Sequence, residues 1–326
     1  MATASTTAST QAAGVPTPVI TPQTESTVIA TPIHEPTAPA RFIVVGAGGN
    51  GARVVAPLTQ MLHREDRLVI IDHDIVEDRN LLRQHFGPRD VGRPKAEVLA
   101  TRYRHAMQHA PVASCVKLDV ANVAAVANEI QTSAAPGCTN TYIIGCVDNP
   151  AARQALVRFT DSFINPTAYI DVGNETRHGQ MVMTLRRWPM KVVSTAAGGD
   201  VTNRTTGNYT MHGMQVAMPQ LLRPAPWHCD DCGVENPAGA VCTRCARAEA
   251  SCRQRIDIQT VMVNHMAASA ALNAVSQLML RHPLTGAGCF FSTLNTMQTI
   301  RIIGTDIDGR SQRQLVPSRA FAIKGA

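Results

Sequence analysis

The segment FIVVGAGGNGARVVAPL, residues 42–58, constrains the fold more than any other stretch. A short apolar run passes into Gly46, Gly48, Gly49 and Gly51, and helical spacing of Val54, Val55, Leu58 and Leu62 follows. Glycine tolerates positive φ and lets the backbone approach a ligand closely. A helix that starts directly after the turn offers unpaired N–H groups and a partial positive charge. Strand, glycine turn and helix in that order predict a phosphate-binding turn inside a βαβ unit.

The pattern continues downstream. RLVIID is a second strand ending at Asp72, VASCVKLD a third and TYIIGCVD a fourth, with helices expected over residues 95–108, 121–132 and 149–163. AYIDVGN and GQMVMTLRR read as two further strands. Strands alternating with helices predict an α/β, Rossmann-like fold, its mainly parallel sheet flanked by helices. Residues 186–256 are less regular. A long helix is expected at 257–281, and the alternation in CFFSTLNTMQTIRIIGTDID predicts a closing C-terminal hairpin. Residues 1–40 are mostly Ala, Thr, Pro and Ser and show neither period; they read as a disordered tail. The expected organisation is a tail over 1–40, a nucleotide-binding Rossmann-like domain over 41–185, and a completing, partner-binding region over 186–326.

Composition narrows the function classes. Aromatic residues make up 4% of the chain, which argues against a base-stacking nucleic-acid surface. The net charge of +6 fits a binder of phosphates or of an acidic protein, and equally an ordinary soluble protein. No stretch has the length of an uncharged membrane span, and the N-terminus lacks a basic n-region and an apolar h-region. Nine cysteines, four of them in tight pairs, fit a reducing compartment, so a cytoplasmic protein is expected.

The loop after the second strand decides what kind of phosphate ligand is expected. Asp72 stands 21 residues past Gly51, where a carboxylate can accept from ribose hydroxyls. That much suits a nicotinamide or flavin enzyme. The stretch IDHDIVEDRNLLRQHF, however, adds Asp74, Asn80, Arg83 and Gln84, and DVGRPKAEVL places Lys95 at a helix start. Splitting a nucleoside triphosphate requires cations facing the phosphates: Arg83 can fork onto their oxygens and Lys95 supplies a point charge. Asp148, at the tip of the fourth strand, is placed to hold Mg²⁺, with Asn149 and Arg153 nearby.

GAGGNG, DHDIVEDRNLLRQ, DVGRPK and VDNPAAR, in this order, resemble the successive signatures of the ThiF/MoeB family, the prokaryotic relatives of ubiquitin-activating enzymes. The resemblance is close over about residues 41–185. AYIDVGNETRHGQMVM is also similar to a segment of the ThiF-type proteins of PRTRC gene clusters. The resemblance implies that Gly46, Gly48, Gly49 and Gly51 cradle ATP, that Asp72 binds its ribose, that Asn80, Arg83 and Lys95 contact the phosphates, and that Asp148 ligates Mg²⁺. It also implies a homodimer that adenylylates the C-terminal glycine of a small β-grasp, ubiquitin-like or sulfur-carrier protein. One family feature is not found: the arginine that relatives place on a helix before the first strand. The first arginine here is Arg41, in the strand itself, and Arg53 is the nearest substitute.

Two Cys-x-x-Cys pairs, Cys229/Cys232 and Cys242/Cys245, lie nine residues apart. Each such turn aims two thiolates at one tetrahedral ion, so a structural Zn²⁺ knuckle is expected over 229–245; redox-active or merely buried thiols are the plain alternative. Of the remaining cysteines, Cys252, beside Arg253 and Arg255, is the candidate for a thiol that accepts an acyl group. His73, His85 and His178 have no metal-ligand spacing. Two other functions compete with adenylylation: an NAD(P)-dependent oxidoreductase, which leaves Arg83, Lys95 and Asp148 unused, and a catalytically degenerate activating-enzyme fold that serves as a binding module.

Overall fold

A computed structural model describes residues 27–33, 39–81, 84–174, 178–195, 201–223, 227–228, 232, 234–237, 242–245, 261–284 and 288–292. Its strands are β1 (Thr27–Pro32), β2 (Ala40–Val45), β3 (Arg67–Ile71), β4 (Val112–Ser114), β5 (Asn140–Gly145), β6 (Thr167–Asn174), β7 (His178–Thr195), β8 (Val201–Met211), β9 (Trp227–His228), β10 (Glu235–Asn236) and β11 (Gly288–Ser292). The α-helices are α1 (Gly51–Met61), α2 (Lys95–Tyr103), α3 (Val123–Glu129), α4 (Pro150–Asp161) and α5 (Val261–Met279).

The centre is the expected parallel sheet. β4, β3, β2, β5 and β6 are neighbours in that order, and every pairing among them is parallel. Its strands read as continuous apolar runs because both faces are covered. Alternate residues feed two cores. Phe42, Val44, Leu68, Ile70, Tyr142 and Ile144 pack with α1, α2 and α5. Ile43, Val45, Val69, Ile71 and Ile143 pack with α3 and α4 on the other face. The period of two along each strand thus places both helical layers. Among the described residues, no helix is long and apolar enough to cross a membrane.

The second half of the sheet is antiparallel and is organised by β7. This strand runs for 18 residues. Its first half pairs with β6 on one edge and β11 on the other. Its second half pairs with β8 and β1.

Three expectations are corrected here. Thr27–Pro32, placed in the disordered tail, forms β1 against Met190–Thr195; Thr27, Val28, Ile29 and Thr31 are β-branched, and β7 offers them an open edge. The boundary at residue 185 falls inside β7, because one long strand crosses from the parallel half into the antiparallel half. Residues 201–211, read as irregular, are β8, paired with β7 through two register shifts. The expected C-terminal helix is α5. The apolar run after it begins as β11, which docks on β7; the second half of the predicted hairpin lies outside the described residues.

Arg41 opens β2 at the end of the strand away from the glycine turn. It is 1% exposed, donates to the Ala135 carbonyl and to Thr141 Oγ1, and lies over the Phe163 ring. It is a core residue and cannot stand in for an arginine at a ligand.

Candidate functional site

A cavity of about 900 Å³ opens at the carboxyl ends of the parallel strands. Gly46, Gly48, Gly49, Asp72, Asn80, Lys95 and Asp148 all line it. Arg83 lies outside the described residues.

The floor is the glycine turn. Gly46 adopts φ +92°, the left-handed region that favours glycine, and a Cβ there would come within 2.5 Å of the Cys146 carbonyl oxygen. A Cβ on Gly51 would fall 1.8 Å from the Gly46 oxygen. One on Gly49 would meet the Asn264 amide at 3.0–3.3 Å. Gly48 differs: among the described residues its Cβ would find nothing nearer than Gln84 Nε2 at 3.9 Å. Asn50 holds the N-cap position of α1, yet its side chain caps nothing. It donates instead to Asn174 Oδ1 at 2.7 Å. No acidic residue sits in the first turn, so the positive end of α1 is left uncompensated at the cavity floor.

Asp72 follows the last residue of β3. Its Oδ2 accepts the Ala47 N–H at 2.6 Å and its Oδ1 accepts the Asp74 N–H at 2.7 Å. Burial pushes this carboxyl up, and the two backbone donors pull it part of the way back. The carboxylate therefore braces the glycine turn, a task its position in the sequence did not announce. Lys95, 6% exposed, places Nζ 3.2 Å from Asp74 Oδ2. Its own N–H donates to the Asp74 carbonyl at 2.9 Å. Asn80 Oδ1 accepts the Glu77 N–H, and the Gln84 N–H donates to the Asn80 carbonyl.

Asp148 lies in the exposed turn between β5 and α4. Asn149 is the N-cap of α4, accepting the Ala152 N–H at 2.8 Å, and its amide reaches Asp148 Oδ1 at 3.2 Å. Arg153 is a strut. Its guanidinium spans Asp171 Oδ2 and the Val147 carbonyl, both at 3.0 Å, and so holds the residue preceding Asp148. Asp171 is fully buried and also accepts from the Tyr169 hydroxyl at 2.8 Å. Burial raises the Asp171 carboxyl, and the Arg153 guanidinium and Tyr169 hydroxyl oppose that rise. Asp171→Ala should destabilise the fold by about 3–5 kcal/mol, because it strands a buried guanidinium. Chemical denaturation measures this, and a loss below ~1 kcal/mol contradicts the strut.

Arg53, the possible substitute for the absent N-terminal arginine, donates to the Gly49 carbonyl at 2.7 Å and fixes the back of the turn. Cys146, at the cavity, has its thiol pushed up by burial, which disfavours the thiolate. Cys252 lies outside the described residues.

Sequence reasoning missed Asn174 and Asn264. Asn174 donates to Asn264 Oδ1 at 2.9 Å, joining β6 to α5 beside the turn. The available signal was an asparagine among VMVNHMAASAALNAV, where Asn264 is 1% exposed on an otherwise apolar helix face.

Elsewhere, Cys232, Cys242 and Cys245 hold their thiols within 4.8 Å of one another, and Cys232 Sγ lies 3.7 Å from Cys242 Sγ. That is far longer than a disulfide and matches the ~3.8 Å sulfur separation of a tetrahedron with Zn–S bonds of about 2.3 Å. Cys229 lies outside the described residues.

A parallel sheet that collects a glycine turn, a buried lysine and an acidic strand tip at its carboxyl ends defines a Rossmann-like α/β protein with its ligand crevice at that end. More particularly, the chain belongs to the ThiF family, whose sequence model matches residues 28–308. It is similar to the NEDD8-activating enzyme E1 catalytic subunit of Arabidopsis thaliana, 46% identical over 63 residues, 19% of this chain and 13% of that protein. The subunit of the same name from Saccharomyces cerevisiae is 43% identical over 61 residues, 18% of this chain and 20% of that one. The matched segments thus span a fifth or less of these relatives' length. Among solved structures, E. coli tRNA N6-threonylcarbamoyladenosine dehydratase, TcdA, matches with a TM-score of 0.34 and 26% identity over 42% of this chain and 52% of that one. Its complex with ATP matches at 0.33 and 26% over 40% and 49%.

Proposed function

We propose that this chain is a ThiF-type adenylyltransferase that activates the C-terminal glycine of a small ubiquitin-like or sulfur-carrier protein with ATP. The observation that supports it most is the convergence on one cavity of the glycine turn, Lys95 and Asp148, in a member of the ThiF family. Gly48 is compatible with the reading: among the described residues it leaves open space on the turn where a ligand could approach.

In this reading the triphosphate lies along the turn and the uncapped start of α1, and Asp72 accepts from the ribose. The carrier's terminal carboxylate oxygen bonds to the α-phosphorus, the bond to the β-phosphate bridging oxygen breaks, and pyrophosphate leaves with the electron pair. Lys95, Asn80 and Arg83 offset the negative charge that builds on the phosphates. Asp148 is the carboxylate that would hold Mg²⁺, which neutralises phosphate oxygens when bound. No general base is required, because the attacking group is already an anion and the work is positioning. The carrier, a homodimeric assembly and a cytoplasmic setting belong to the same proposal.

The test is ATP–pyrophosphate exchange by the full chain with a β-grasp protein that ends in glycines. Carrier-dependent exchange supports the reading. Saturable NADH binding without ATP binding would instead establish the oxidoreductase. ATP binding with no exchange for any such carrier would leave a binding module.

The thiol cluster is proposed as a structural Zn²⁺ site completed by Cys229. Metal analysis should find one zinc per chain, and Cys232→Ser should lose it. A chain that neither contains nor takes up zinc contradicts the site.

A further inference from the structure

Three of the eight unpartnered buried side-chain atoms among the described residues lie at the glycine turn. Asn50 Oδ1, Gln84 Oε1 and Asn264 Nδ2 are each buried with no hydrogen-bond partner among the described residues, and all three residues line the cavity. An unmade hydrogen bond on a buried group costs about 1–3 kcal/mol. Such groups persist where a ligand satisfies them.

Asn264 is the most informative of the three. Asn50 donates to Asn174, and Asn174 donates to Asn264, so three side-chain amides run head to tail from the N-cap of α1 to α5. This order uses Asn264 Oδ1 as an acceptor and leaves its Nδ2 as the donor end of the relay. That nitrogen faces Gly49: a Cβ there would stand 3.0 Å from it. Gly49 does not have a positive φ, so backbone strain does not explain the glycine. The Asn264 amide does. Glycine at this position removes the side chain that would separate the amide from an oxygen on the turn.

We infer that Asn264, delivered by α5, is a nucleotide-binding residue whose amide N–H₂ donates to a phosphate oxygen on the glycine turn, with Asn174 as its positioning residue. A phosphate oxygen is an acceptor that fits this donor, because the positive end of α1 and Lys95 border the same cavity, whose lining also carries acceptor oxygens. The inference rests on the ATP-binding reading above.

Asn264→Asp separates this role from a purely structural one. Aspartate keeps the shape and the oxygen that Asn174 needs, but it replaces the donor with an anion. Calorimetry on the full chain should show ATP binding weakened about tenfold or more, since a charge-assisted hydrogen bond is lost and repulsion gained. Adenosine, which has no phosphate, should bind as it does to the wild type and so also reports that the variant is folded. Gly49→Ala should show the same selective loss of ATP binding, and should add little in an Asn264→Ala background, where its clash is gone. Unchanged ATP affinity in Asn264→Asp, or equal weakening of ATP and adenosine, overturns the inference while leaving ATP binding by the wild type intact. A wild-type chain that binds no ATP removes this inference and the proposed function together.

Discussion

Lys95→Ala should reduce carrier-dependent ATP–pyrophosphate exchange by at least about a hundredfold, the usual scale for removing one preorganised group that meets transition-state charge. Lys95 sits almost wholly within the protein, with its ammonium 3.2 Å from Asp74 Oδ2. Its removal therefore acts twice. The cation facing the phosphates disappears, and Asp74 turns from a neutralised neighbour into a source of negative potential at the cavity. Lys95→Arg should not restore the rate, because a planar fork cannot occupy the place of a compact ammonium in so enclosed a setting. Asp148→Ala should lose exchange for a different reason, as the carboxylate proposed to hold Mg²⁺ is gone. It stands exposed, so its loss should leave thermal stability unchanged. Exchange that survives in both variants refutes the assignment of this cavity as the reaction centre.

Gly51→Ala should abolish measurable ATP binding and lower the melting temperature. Two effects oppose each other. Alanine is the better helix former by about 1 kcal/mol, and Gly51 is the first residue of α1, so propensity alone predicts a gain. The added Cβ would, however, lie 1.8 Å from the Gly46 carbonyl oxygen, well inside any allowed contact. Overpacking of this kind costs about 1–3 kcal/mol after relaxation, and here the backbone itself must move. The turn has to open, and the helix start with it. ATP affinity should fall by at least about a hundredfold, roughly 2.7 kcal/mol. Calorimetry on folded variant protein decides the matter; wild-type affinity would mean the turn is not the ligand's seat.

Much of the parallel half was legible in the sequence because its signals are local. The apolar run of residues 42–45, the glycines after it and the helical spacing after those lie within one βαβ unit. Asp72, Lys95 and Asp148 could be placed at strand tips and a helix start without knowing any distant contact, and the structure brings them to one cavity. What was not legible depends on partners far along the chain. Thr27–Pro32 resembles a tail until β7 is known to have a free edge beside Met190. Arg153 resembles a free cation until Asp171 is found buried against it. Asn264 resembles a stray polar residue until α5 is laid over Gly49. Gly49 read as one of four glycines that cradle a nucleotide, whereas the steric demand at this position comes from that helix.

The 18-residue strand β7 has a consequence for how the molecule is assembled in time. Residues 27–32 and 288–292 both hydrogen-bond to it, so one strand joins segments made early and late in synthesis. A chain emerging from the ribosome can complete β2 to β6 with their helices, but not the lid of amides over the turn, because α5 follows long after. Pairings of such long sequence separation are slow to form. On the inference drawn above, nucleotide binding waits for α5, because the glycine turn is made about 200 residues before the helix that carries Asn264.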